Sequence, residues 1–140
     1  MLYLEKPPEF EPDLEAVGCL VVCKKKILLL KRPEDDLYPN KWGIPSGKIE
    51  ADEKPDDAIR RELEEETGIR TDNLDSLGKV YLIFPRLSFV YYVYRHDLDG
   101  RRIKIQLSKE HVKWKFVDPD KIEIFDIIAD TDRCIELFYQ

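Results

Sequence analysis

Three glutamates, Glu62, Glu65 and Glu66, are spaced so that a helix would carry them in one sector, because positions three and four apart are neighbours on its surface. Ala58 lies inside that sector, Ile59 and Leu63 border it, and Arg60 and Glu64 point elsewhere. Like charges beside an apolar stripe destabilise a free helix by roughly a few tenths of a kcal/mol per pair. They become favourable when a hard divalent cation such as Mg²⁺ sits among them, since that ion prefers oxygen ligands. A solvated acidic face is the plain alternative. The segment in front of the helix weighs against it: Ser46-Gly47-Lys48 offers a backbone turn, followed by Glu53. A loop carbonyl plus helix carboxylates make a metal cage, and Lys48 is placed to meet a phosphate.

The elements that must position these residues follow from local signals. Pro55 suits a first helical turn, Asp56 and Asp57 suit its positive end, and Gly68 suits the residue past its end, which predicts a helix over 55–67. Apolar runs at 16–22 and 27–31 flank the polar corner Cys23-Lys24-Lys25-Lys26 and predict a hairpin. Residues 33–40 read as a polar loop, and 42–47 as a short strand entering a tight turn. Strands are expected at 80–84 and 87–94 around Pro85-Arg86, at 103–107 where Ile103, Ile105 and Leu107 alternate with polar residues, and at 112–117. A closing helix over 131–139 would turn Cys134, Ile135 and Phe138 inward. The sum is a mixed sheet with two helices, an α+β or layered αβα domain.

Composition narrows the partners. A chain of 140 residues with 43% hydrophobic content fits one domain with a sizeable core. The balance of 23 basic and 29 acidic residues, net −6, gives no support for general nucleic-acid or anionic-membrane binding. Such a protein binds an anionic substrate when cations stand between them. Cys19, Cys23 and Cys134 read as buried reduced thiols, because a zinc site wants more Cys or His nearby. Residues 1–14, with Pro7, Pro8 and Pro12, read as an extended arm without an apolar targeting core, ahead of a domain spanning 15–140. No apolar stretch approaches a membrane span, so the expectation is a cytoplasmic protein, with monomer and homodimer both open.

Residues 47–69 resemble a complete Nudix box: Gly47, five residues, Glu53, seven residues, then Arg61-Glu62-Leu63-x-Glu65-Glu66-x-Gly68-Ile69. With every specified position filled, a chance match is on the order of 10⁻⁷ at ordinary residue usage. Trp42-x-Ile44-Pro45-x-Gly47-Lys48 upstream also resembles the family, although Ser46 stands where glycine is commoner. Ser108-x-Glu110-His111, with Trp114 beyond it, resembles the stretch where many members place a further acidic residue. The resemblance implies a Nudix-type α/β/α sandwich with a mixed sheet. It implies Mg²⁺, or Mn²⁺, held by Glu62, Glu65, Glu66 and the Ser46 carbonyl, with Arg61 and Glu53 steadying the loop by a salt bridge. Glu62 is the favoured general base and Glu110 the competing one. Arg32 and Lys48 are candidates for the phosphates. Asp130 matches, by position, a residue that reads the base edge in small triphosphatases; capping of the helix at 131 is its plain alternative. His96 and His111 are assigned no role.

The implied activity is Mg²⁺-dependent hydrolysis of a phosphoanhydride in a nucleoside-diphosphate-linked small molecule. Short length and simple organisation favour a (deoxy)nucleoside triphosphate. An ADP-ribose or nucleotide-sugar pyrophosphatase is the alternative, because Pro85 stands 16 residues past Ile69, a proline position that marks ADP-ribose members. A non-catalytic binding module is disfavoured, because such modules usually lose box glutamates, and Glu53, Glu62, Glu65 and Glu66 are all present.

Overall fold

Strand β2, Leu14–Cys23, is apolar on both faces because both faces are covered. The structure, a computed structural model, describes residues 1–100 and 103–139. Val17, Cys19 and Val21 point into one core with Ala58, Ile59 and Leu63 of helix α1, Pro55–Thr67. Ala16, Leu20 and Val22 point into a second core with Cys134 and Ile135 of helix α2, Thr131–Phe138. The period-two alternation of one strand therefore separates the two helices into outer layers. All three cysteines are buried and reduced.

β2 turns through Lys24 and Lys25, both at positive φ, into β3, Lys26–Lys31. Two left-handed residues in a two-residue loop match the right-handed twist of the flanking strands. β3 pairs antiparallel with β4, Trp42–Gly43, and with β8, Lys113–Val117. β2 also pairs antiparallel with β5, Ser46–Lys48, and parallel with β7, Leu87–Asp97. The Pro85-Arg86 turn joins β7 to β6, Asp75–Phe84, in the expected hairpin, with both strands longer than the sequence suggested. One parallel pair among antiparallel ones makes the sheet mixed, as expected.

Of the arm expected at residues 1–14, Leu14 already belongs to β2, and part of the rest adds a strand at the sheet edge. Leu2–Tyr3 forms β1 on β6, and buried Phe10 meets Tyr81 edge to face.

The strand expected at 103–107 is not one. These residues run as irregular chain past the end of α1, where the Gln106 N–H donates to the Thr67 carbonyl at 2.8 Å. Ile105 and Leu107 still pack into the α1 core. The alternation reported which side chains turn inward; it could not report that a helix end, rather than a strand, takes up the backbone.

Helix α1 has the ends its sequence announced. Pro55 opens it, and Gly68 closes it at φ 79° with its N–H donating to the Glu64 carbonyl. The Tyr94 hydroxyl donates to Asp56, fixing the first turn against β7. On the opposite layer, Trp42 exchanges backbone hydrogen bonds with Asp126 and Ile128 at 2.8 and 2.9 Å. That strap carries residues 126–130 beside β4, which sets where Asp130 stands.

Candidate active site

At ~100° per residue, Glu66 falls ~40° to one side of Glu62 and Glu65 ~60° to the other. The apolar residues Ile59 and Leu63 lie on the Glu66 side, so that carboxylate is drawn into the core, and Glu66 is 2% exposed. Glu62 is buried too, whereas the Glu65 side chain is 58% exposed, its partner being Arg61 at 3.4 Å. The three glutamates thus share a sector without sharing an environment.

The loop at β5 closes over the two buried ones. The Ser46 N–H donates to Glu66 Oε1 at 2.8 Å. The Ser46 hydroxyl, in turn, donates to the Ile44 carbonyl at 3.0 Å and lies 2.6 Å from the Tyr91 hydroxyl. Gly47 has its α-carbon against the Glu62 carboxylate, where any Cβ would overlap it. Gly18 is equally required, since a Cβ there would overlap the Tyr91 hydroxyl.

Arg61 binds the loop to the helix. Its guanidinium forks onto Glu53 at 2.9 and 3.0 Å, donates to the Lys48 carbonyl at 2.9 Å and reaches Glu62 Oε1 at 2.8 Å. Hydrogen bonds from Arg61 hold the Glu53 carboxyl below its usual range, and the same bonds raise Arg61 further. The expected Arg61–Glu53 pair is therefore formed, and it is one part of a larger clamp. Among the described residues, Glu62 Oε2 carries no hydrogen bond.

The tertiary fold adds two residues from the 108–112 loop. One oxygen each of Glu66 and Glu110 and one ring nitrogen of His111 lie within 4.8 Å of one another. Burial pushes the Glu66 carboxyl up to about 9, opposed by the Ser46 N–H and reinforced by the Glu62 and Glu110 carboxylates. Burial likewise raises Glu62, with the Arg61 contacts opposing. Burial, then the nearby Arg32 charge, lowers His111 to about 4. Sequence reasoning missed His111: its one signal was adjacency to Glu110, and nothing in the spacing showed that it would be buried.

These carboxylates fit a hard divalent cation. Their donors are oxygens, burial together with the neighbouring Glu62 and Glu110 carboxylates pushes the innermost carboxyl up, and Glu110 remains exposed as a route in.

A cleft of about 580 Å³ adjoins this group. Ser46, Gly47, Lys48, Arg32 and His111 line one part of it; Leu82, Phe84, Phe89, Tyr91 and Ile128 supply apolar walls; Pro85, Arg86 and Asp130 also line it. Arg32 is held by Asp36 at 3.4 Å. Lys48 is exposed at the rim. Asp130 occupies the N-cap position of α2 at φ 66°, yet its side chain makes no capping hydrogen bond. Its carboxylate lies 3.3 Å from the N-terminal ammonium and lines the cleft. No helix among the described residues is long and apolar enough to cross a membrane.

The chain matches the NUDIX domain family over residues 12–138. A MutT-like protein of Streptomyces ambofaciens is 31% identical over 126 residues, covering 87% of this chain and 77% of that protein. The 8-oxo-dGTP diphosphatase of Escherichia coli strain K12 is 37% identical over 70 residues, which is 50% of this chain and 54% of the diphosphatase. Among solved structures, the MutT protein of Methanosarcina mazei Go1 superposes with a TM-score of 0.79 at 27% identity, covering 91% of this chain and 94% of that one.

Proposed function

This chain belongs to the Nudix family and is a MutT-like hydrolase, and we propose that it acts as a divalent-metal-dependent (deoxy)nucleoside triphosphate pyrophosphohydrolase. The observation that carries this reading is the junction of two buried carboxylates, Glu62 and Glu66, and the exposed Glu110 with an apolar-walled cleft that ends at polar groups. A nucleotide has the same polarity: a flat base for the apolar part and an anionic chain for the charged part.

Glu62, Glu65, Glu66 and Glu110, with the Ser46 carbonyl, are the proposed holders of Mg²⁺ or Mn²⁺. When bound, the ion supplies charge neutralisation for the phosphates and Lewis acidity at the attacked phosphorus. Glu62 is the proposed base, since its Oε2 carries no hydrogen bond among the described residues while Oε1 is fixed by Arg61. It takes the proton of the attacking water. Water oxygen bonds to phosphorus, the anhydride oxygen leaves with the bonding pair, and nucleoside monophosphate and pyrophosphate result. Glu110 is the alternative base. Arg61 and Glu53 act by holding the loop in register. Lys48 and Arg32 meet phosphate oxygens, and Asp130 reads the base edge.

Pro85 lining the cleft favours the second reading, an ADP-ribose or nucleotide-sugar pyrophosphatase. Triphosphates stand first because the chain is similar to a MutT-like protein and to an 8-oxo-dGTP diphosphatase. Comparing kcat/KM for nucleoside triphosphates, ADP-ribose, sugar nucleotides and dinucleoside polyphosphates decides between them. A hundredfold preference for ADP-ribose, about 2.7 kcal/mol of differential transition-state binding, reverses the order. The proposed setting is a small-molecule nucleotide pool in the cytoplasm, with monomer and homodimer both compatible.

A further inference from the structure

Two buried polar atoms are without a hydrogen-bond partner among the described residues: Arg32 Nε and His111 Nδ1. Both side chains line the cleft, and His111 is 7% exposed. Buried polar atoms of this kind nearly always find a partner, so two orphans on side chains that line one cleft mark where a ligand atom belongs. Their surroundings restrict that atom. The guanidinium supplies positive charge and is kept in place by Asp36. The imidazole of His111 adds a second donor wherever Nδ1 carries a proton. His111 stands next to the Glu66–Glu110 pair, and both side chains share the cleft with its apolar walls. A terminal, negatively charged oxygen of a phosphoryl group that lies between a nucleoside and the rest of an anionic chain meets these conditions.

We infer that Arg32 and His111 form a two-donor subsite for a phosphoryl oxygen of a nucleotide, at the junction between the carboxylate group and the apolar cleft. This makes His111 a substrate-binding residue. The inference rests on the nucleotide reading above, but not on its preferred substrate, since triphosphates and ADP-ribose both carry a phosphoryl group next to a nucleoside.

The test uses binding in excess EDTA, which separates it from turnover and from the metal. The chain has only two histidines, so long-range ¹H–¹⁵N spectra of the imidazoles contain two sets of signals. Titration with AMP or GMP should shift the His111 Nδ1 signal saturably, while His96 Nδ1, 2.9 Å from the Asn73 carbonyl, stays in place. Adenosine or guanosine should leave both unmoved. His111→Leu and Arg32→Gln should each weaken monophosphate affinity about tenfold without weakening nucleoside affinity. His111→Asn, which keeps an amide near the Nδ1 position, should restore most of the loss. Thermal unfolding of each variant checks the fold, and the spectra of the parent protein decide the matter if His111→Leu fails to fold. A His111 Nδ1 signal that does not move at saturating AMP and GMP overturns the inference and leaves the two nitrogens to ordered water. If the subsite stands and nucleoside triphosphates are poor substrates, the substrate ordering fails and the subsite does not.

Discussion

Gly47 and Glu62 touch in a way that only glycine allows: the side-chain position at residue 47 is filled by the Glu62 carboxylate. The contact joins the loop to the carboxylate proposed as the general base. In Gly47→Ala the obstacle is the end of a side chain rather than backbone, so Glu62 swings away and the fold survives with a loss of about 1–3 kcal/mol. Activity should fall ~100-fold or more, because a displacement of about 1 Å at a reacting group is worth that much. Steady-state kinetics alongside thermal unfolding separates the two. Wild-type turnover in a stable Gly47→Ala protein would remove Glu62 from the mechanism.

Glu66 is the innermost carboxylate, and its neutral isostere keeps an oxygen for the Ser46 N–H. Glu66→Gln should therefore stay folded while kcat falls by ~10²-fold or more, at least the loss seen for groups that merely support a metal ligand. Mg²⁺ should raise the melting temperature of the parent protein, since an ion that binds only the folded state stabilises it. The rise should be absent in Glu66→Gln. Undiminished turnover in excess EDTA would sink metal dependence altogether.

Arg61 engages Glu53 with two nitrogens and the Lys48 carbonyl with one of the same pair. Lysine keeps the charge and cannot make that fork. Because the pair is partly exposed, Arg61→Lys should alter stability by no more than about 1 kcal/mol. Its effect on kcat/KM should be larger, about tenfold or more, because the loop loses its register. A variant that loses stability and keeps activity would mark the clamp as structural only.

Asp130 holds the cap position without using its side chain as a cap, and its ion pair is to an exposed N-terminus. Asparagine tolerates the same left-handed backbone, so Asp130→Asn should change stability by less than about 0.5 kcal/mol. It should change the ranking of ATP, GTP, CTP and UTP by kcat/KM, because an acceptor-only group becomes one that also donates. An unchanged ranking would place base recognition elsewhere.

What the sequence determined by itself is everything that depends on neighbours in the chain. Pro55 and Gly68 bound α1 to the residue, because helix ends are set by local backbone needs. The Nudix spacing put Arg61, Glu53, Glu62 and Glu66 into one loop–helix unit for the same reason: contacts over a few turns follow from the helical period. What only the tertiary structure decided is depth and company. The sequence grouped Glu65 with its neighbours, and packing of Ile59 and Leu63 into the core left it outside. Residues 103–107 alternate as a strand would, yet the end of α1 takes their backbone. Glu110 and His111 reach Glu66 across more than forty positions of chain because β8 is anchored on β3, and no local pattern encodes that closure. The orphaned nitrogens of Arg32 and His111 belong to the same class: whether a donor is satisfied is a property of its burial, and burial is fixed only when distant segments meet.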